Sequence, residues 1–240
     1  MKWWMAFGLV ALVLCLGVTA PAHVVVPWMW PEADTVLSRL KGTYWRGSAL
    51  LRSGRASGIQ LRWNLIPESL ITGCASFTVR IGSSGRSTVH QCMDGLELRG
   101  LSVAFPAQAL APVLGAPAGA VKGAIMLQSE ELQFSGQEWS GEGLLTWNNA
   151  EAGIGKTVTL GTVVTRVSIR GRKAEFQFRN QDGRLTIVLD GGIDAVGNYR
   201  ATGFLIVADK DPALLNQLQL FGDRLADGRI AVRQSGRLSL

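Results

Sequence analysis

Ala75-Ser76-Phe77-Thr78-Val79-Arg80-Ile81-Gly82-Ser83-Ser84-Gly85-Arg86-Ser87-Thr88-Val89-His90-Gln91-Cys92 is the stretch whose reading decides the fold class. Ala75, Phe77, Val79 and Ile81 alternate with Ser76, Thr78 and Arg80, the period-2 pattern of a strand with one apolar face. Gly82-Ser83-Ser84-Gly85 supplies a turn. Folding the chain about that turn sets Arg80 opposite Arg86, Thr78 opposite Thr88, Ser76 opposite His90 and Cys74 opposite Cys92. The two thiols then share a face at a separation that a disulfide spans. Two free buried thiols are the alternative. A zinc site needs more ligands than the single nearby His90 provides.

The same reading extends in both directions. Gly42 to Leu51 and Gly58 to Leu65 read as strands, with residues 35–41 as a short helical or strand connector and Pro67 closing the second strand. Leu96 to Phe105, Gly119 to Phe134 and Gly141 to Asn148 follow. The chain then looks like a meander through Thr157 to Arg170, Lys173 to Arg179, Arg184 to Asp190 and Asn198 to Ala208, ending in Arg229 to Leu238. Two short helices interrupt the strands. One runs from Pro106 to Leu114, with Pro at its start and Gly115 past its end. The other runs from Pro212 to Leu220, with Asp211 as a cap. Trp45-x-Gly47-x-Ala49-Leu50-Leu51 recurs as Trp139-x-Gly141-x-Gly143-Leu144-Leu145. If the echo is more than a chance match of Gly and Leu, it divides the domain into related halves, about 42–135 and 136–240.

The N-terminal segment has a different character. Trp3 to Ala20 carries no charge, and Pro21 ends the run. As a helix it would be about 27 Å long, close to the ~30 Å hydrocarbon core of a bilayer. Trp3 and Trp4 at one end, and Trp28 and Trp30 beyond the other, resemble an interfacial aromatic belt. Lys2 precedes the run, whereas Glu32 and Asp34 come before the first later cation, Arg39, which puts the N-terminus on the cytoplasmic side. The expected organisation is a membrane anchor over residues 1–30 and an exported β-rich domain over 31–240. The competing reading is a signal peptide cleaved after Val18-Thr19-Ala20. Pro21 at the following position and the continuing Val24, Val25, Val26 and Trp28 speak for retention. Cys15 is preceded by Leu14, unlike a lipoprotein cysteine. With Cys15 in the anchor, Cys74 and Cys92 remain as an even pair, which suits an oxidising compartment.

Composition narrows the function classes. Apolar residues make up 47% of the 240-residue chain and charged ones only 18%, so a sizeable core is available. The net charge of +6 is spread over single residues such as Arg46, Arg52, Arg55, Arg62, Arg80 and Arg86, with no basic run interleaved with aromatics. That argues against nucleic acid and for a solvated basic face. Gly153-Ile154-Gly155-Lys156-Thr157 only imitates a phosphate-binding loop. Ala150 stands where the first Gly is required, and the sequence after Lys156 is strand-forming. Neither His23 nor His90 belongs to a cluster spaced for metal, and no cofactor is expected. Glu130 with Glu131, and Asp190 with Asp194, read as solvated positions. Trp45, Trp63, Trp139 and Trp147 read as core packing in preference to a ligand platform.

The motifs together carry a resemblance. Gly42-Thr43-Tyr44-Trp45-Arg46-Gly47-Ser48-Ala49 is similar to a Gly-x-x-Trp-x-Gly-x-Ala pattern. Leu61-Arg62-Trp63-Asn64-Leu65-x-Pro67 is similar to Leu-x-Trp-x-Leu-x-Pro. Leu110-Ala111-Pro112-Val113-Leu114-Gly115, Gly228-Arg229-Ile230 and Ser235-Gly236-Arg237-Leu238 follow in order. In this layout the chain resembles the type II secretion system protein N family. The resemblance implies a mainly β, curved antiparallel sheet domain with a few short helices, preceded by one transmembrane helix. It implies a non-enzymatic accessory scaffold of the inner membrane. Its partners would be the outer-membrane secretin or the inner-membrane platform, with membrane lipid contacted through the anchor. A weaker likeness to AsmA-type envelope proteins implies the alternative, an apolar groove that handles lipid. The Cys74 and Cys92 pair is not part of the family pattern.

Overall fold

The computed structural model describes residues 19–29, 37–53, 56–110, 119–136, 138–154, 156–208 and 211–237. The fold is mainly β, with a few short helices, and the strand ladders are antiparallel throughout. Among the described residues no helix is long and apolar enough to cross a membrane. The expected transmembrane run lies outside them except for Thr19 and Ala20. The chain divides into two compact units, one ending at Cys92 and one beginning at Met93.

The first unit holds helix α1 (Ala22–Met29) and strands β1 (Leu37–Gly42), β2 (Arg46–Ser53), β3 (Ala56–Ile66), β4 (Ala75–Ile81) and β5 (Gly85–Cys92). Each strand pairs with the next in sequence. The single strand expected from Gly42 to Leu51 is instead the end of β1, a turn, and β2. Gly42 turns the chain at φ 87°, and a side chain there would bring a Cβ within 2.5 Å of the Arg46 carbonyl oxygen. The Thr43 N–H then donates to that oxygen at 2.9 Å, closing the turn that carries Tyr44 and Trp45. Within residues 35–41, read as a helical or strand connector, the strand alternative is realised, because β2 offers Leu37–Gly42 a ladder.

Between β3 and β4 the chain makes a 3-10 turn, Pro67–Thr72, with Pro67 at its first position, where a missing N–H costs nothing. The β4–β5 hairpin has the expected register, with Ser76 opposite His90, Thr78 opposite Thr88 and Arg80 opposite Arg86. Cys74 and Cys92 are joined by a disulfide across Cα atoms 4.5 Å apart, the spacing of a non-hydrogen-bonded antiparallel pair. Replacing both cysteines by serine is expected to lower stability by roughly 3 kcal/mol, the loop-closure value for a loop of this size. Urea unfolding of the two proteins measures it; equal midpoints would show that the bond does not constrain the unfolded chain.

Helix α1 is a short element that belongs to the first unit. Pro21 bridges to Thr43, and the Tyr44 N–H donates to the Ala20 carbonyl at 3.0 Å. Ala22 is fully buried. The chain is therefore tied to the β1–β2 turn at Ala20 and Pro21.

The second unit contains β6 (Gly95–Pro106), β7 (Val121–Ser135), β8 (Glu138–Ile154), β9 (Lys156–Gly171), β10 (Lys173–Gln181), β11 (Leu185–Asp194), β12 (Asn198–Val207), α2 (Pro212–Leu218), β13 (Gly222–Arg224) and β14 (Ile230–Arg237). The meander runs in sequence order to β12. There β14 takes the next place, and β13 lies outside it. The helix expected from Pro106 to Leu114 is not an α-helix where it is described. Pro106 ends β6, Ala107–Leu110 is a 3-10 turn, and residues 111–114 lie outside the described residues. Apolar side chains of α2 hold the far end of this sheet. Leu214, Leu215 and Leu218 pack with Val163, Leu185, Leu205 and Ile230, all at most 7% exposed. Burial of each leucine contributes about 2 kcal/mol.

Candidate interaction surfaces

The residues singled out by the sequence fall into two structural groups. In the first unit Trp63 on β3 stands opposite Gly47 on β2. A Cβ at Gly47 would lie 2.4 Å from the Trp63 ring, so the indole occupies the space that glycine leaves open. The Trp63 Nε1–H donates to the Tyr44 carbonyl at 2.8 Å. Trp45 sits in the turn and not in a strand, with its ring edge-on to Tyr44 at 5.0 Å. Tyr44, which the pattern reading passed over, ties the turn to the rest of the unit. Its ring meets Phe77 at 5.4 Å, its hydroxyl donates to Gln91 Oε1 at 3.0 Å, and burial pushes its phenol pKa up.

In the second unit Trp139 and Gly141 do not repeat this arrangement. Trp139 lies within β8, opposite Phe134, with ring centroids 4.9 Å apart. Gly141 faces the irregular stretch of β7 between Gln128 and Leu132, where a Cβ would come within 2.4 Å of the Glu131 carbonyl oxygen. The counterpart of Trp63 is Trp147. Its Nε1–H donates to the Lys122 carbonyl at 2.8 Å, and it covers Gly123 as Trp63 covers Gly47. The sequence echo therefore aligns different environments, while the shared packing device joins residues with no common spacing.

Chemistry-bearing groups are sparse. Ser76 Oγ and His90 Nδ1 are 2.7 Å apart, a distance that suits a nucleophile and its base. Ser76 is only 3% exposed, and its N–H donates to Ser69 Oγ, so the pair braces β4 against β5 and the 3-10 turn. Among the described residues no group of three His, Cys, Asp or Glu is placed to hold a metal ion.

What the second unit does present is a two-sided sheet. On one face the cross-strand rows are apolar or small. One row runs Leu145, Thr165, Phe178, Leu189, Gly203 and Val232. The neighbouring row holds Val167, Phe176, Gly191 and Ala201. Helix α2 and the 3-10 turn at Ala107 pack on the end that contains Ile125, Trp147 and Val163. Away from that end Phe134, Ile169, Phe176, Ile193 and Tyr199 are half-buried, and Trp139 is 40% exposed. The opposite face is mixed: Val164, Val188 and Phe204 stand in the row of Arg179, and exposed ion pairs such as Arg179 with Asp190 at 2.8 Å and Lys122 with Glu151 at 3.2 Å lie among them. Pairs this exposed contribute roughly 1 kcal/mol or less.

The family described as type II secretion system (T2SS), protein N matches residues 34–233. The chain belongs to that family. The match begins just before β1 and ends within β14, so both units of this protein N chain take part. No curated protein and no solved structure matches the chain. The protein N motifs at Gly42–Ala49 and Leu61–Pro67 form the β1–β2 turn and the Trp63–Gly47 contact. Their residues are packing groups that build the first unit.

Proposed function

We infer that this protein N chain is an accessory scaffold or adaptor of type II secretion, anchored in the inner membrane by Trp3 to Ala20, with both β-units in the periplasm. The observation that carries the reading is the family match across both units. An adaptor on that side acts through the surfaces it presents to its neighbours. Open strand edges are physical candidates, because unpaired backbone groups accept a partner strand. The outer-membrane secretin and the inner-membrane platform are the proposed partners.

Deletion should weaken export of folded proteins or the stability of the secretin assembly. Site-specific crosslinkers along the domain should trap a secretion component. The chain should stay in the membrane pellet after alkaline extraction. Release with a new N-terminus near Pro21 would replace the anchor by a signal peptide. A second reading, an apolar face that handles lipid, is favoured by the half-buried rings between Phe134 and Tyr199. It takes over if deletion leaves secretion intact and makes the outer membrane permeable to detergents.

A further inference from the structure

The net charge of the chain is distributed unevenly. Residues 37–92 hold eight Lys or Arg and a single acidic residue, Glu68, whereas residues 93–240 hold fifteen basic and fifteen acidic residues. In sequence these cations are scattered. The ladders of the first unit bring four of them into one line. Lys41 on β1 pairs with Ser48 on β2, Ser48 with Arg62 on β3, Arg62 with Arg80 on β4, and Arg80 with Arg86 on β5. Directly paired residues share a face, so the four cations point the same way across five strands, a span of roughly 19 Å. All four are exposed. Arg46 extends the patch in the adjacent row, beside Asn64, Thr78 and Thr88.

Like charges directly opposite one another destabilise a ladder. Here Arg62, Arg80 and Arg86 stand in direct succession, and among the described residues no carboxylate forms an ion pair with any of them. Ser48, Asn64, Thr78 and Thr88 surround the line, while Leu50 and Ile66, both half-buried, lie further along the same face. Neither the cation row nor the adjacent Arg46 row holds an aromatic or aliphatic side chain of the kind that centres protein interfaces. It is charge-complementary to an extended anionic plane.

The N-terminal segment indicates which plane. The uncharged run Trp3 to Ala20 ends where Pro21 bridges to Thr43, two residues from Lys41 at one end of the row. At the same place α1 exposes Val24 (56%) and Trp28 (83%), one helical turn apart and so on one side. Exposed tryptophan beside an apolar segment is the residue type that settles at the headgroup level.

We propose that the Lys41–Arg62–Arg80–Arg86 face of the first unit lies against the anionic phospholipid headgroups of the membrane in which the chain is anchored. The proposal rests on the inner-membrane reading above and adds to it a lipid-facing surface and an orientation. A single anchor leaves the domain free to swing, whereas an anchor plus a basic face holds it flat. That would turn the opposite face of the unit away from the bilayer.

The test uses the full chain in nanodiscs of phosphatidylcholine alone or of phosphatidylcholine mixed with phosphatidylglycerol. Phenylglyoxal modifies exposed arginines, and peptide mass spectrometry reads the rate at each. Near a charged bilayer surface each cation is favoured by roughly fivefold in partitioning. Modification of Arg62, Arg80 and Arg86 should therefore slow by about that factor in the phosphatidylglycerol discs, and high salt should restore it. Arg200 and Arg233, exposed in the second unit, serve as controls.

Equal rates in both discs, with the chain still disc-bound, overturn the proposal and leave the anchor reading standing. If the chain does not stay with the discs, the anchor reading fails and the face is tested alone by flotation with phosphatidylglycerol vesicles. Flotation that high salt reverses, and that Arg62→Gln/Arg80→Gln/Arg86→Gln weakens by about a hundredfold, keeps the proposal. Absence of flotation sinks it. Protection of the three arginines by a DNA oligonucleotide but not by phosphatidylglycerol overturns it in favour of nucleic acid.

Discussion

Asn180→Ala is expected to destabilise the second unit by about 4 kcal/mol, among the largest effects of any single substitution in it. Asn180 is 8% exposed and sits in the apolar core beside Val163 and Leu185. The β10–β11 ladder stops at Arg179 and Val188, and the side chain of Asn180 takes over. Its Nδ2 donates to the Leu160 carbonyl at 2.7 Å and to the Leu185 carbonyl at 2.6 Å, and its Oδ1 accepts from the Ile187 N–H. One amide thus satisfies groups of β9 and β11 at once. Removing it leaves two carbonyls and one N–H buried without partners, each at a cost of roughly 1–3 kcal/mol. Asn180→Asp keeps the acceptor but sets a carboxylate against two carbonyls. Its carboxyl pKa would be raised by burial, so the damage should grow as pH rises above the ordinary carboxylate range. Thermal melts of the three proteins at neutral and acidic pH measure both effects. An alanine variant within about 1 kcal/mol of the parent would mean that the core relaxes to repair these bonds.

Trp63→Ala should cost about 3–5 kcal/mol and lower the abundance of the protein. The indole fills the space above Gly47 and ties β3 to the Tyr44 carbonyl, so the substitution removes packing and a hydrogen bond together. Trp63→Phe should recover most of the packing and lose only the bond, roughly 1 kcal/mol. Urea titration separates the two variants. A Trp63→Ala protein that melts like the parent but loses a crosslinked secretion component would make the indole a binding hot spot instead of a structural anchor. Trp45→Ala tests the neighbouring position. Because Trp45 lies in the turn and not in a strand, its loss should be milder than that of Trp63.

The two variants also show where sequence reading reaches its limit. Trp63 was legible as a packing residue, since a tryptophan on an alternating strand needs an apolar neighbour. Its partner Gly47 was legible only as part of a motif, because the contact depends on the register of β2 against β3. Asn180 gave no signal, since a single Asn before Gln181-Asp182-Gly183 reads as part of a turn. The Trp139–Gly141 echo of Trp45–Gly47 matched residues whose surroundings differ.

By itself the sequence determined what is encoded within a few residues. Period-2 alternation and Gly-rich turns set the strands and the register of the β4–β5 hairpin, and with it the Cys74–Cys92 bond. The meander from β9 to β12 is equally local, because each connection is short. The tertiary structure decided what depends on partners distant in sequence. Leu37–Gly42 became a strand because β2 was there to pair with it. Gly222–Arg224, too short to show alternation, became one because β14 offered an open edge. The line Lys41, Arg62, Arg80 and Arg86 exists only when four successive ladders are in register, since a one-residue slip in any of them turns a cation to the other face.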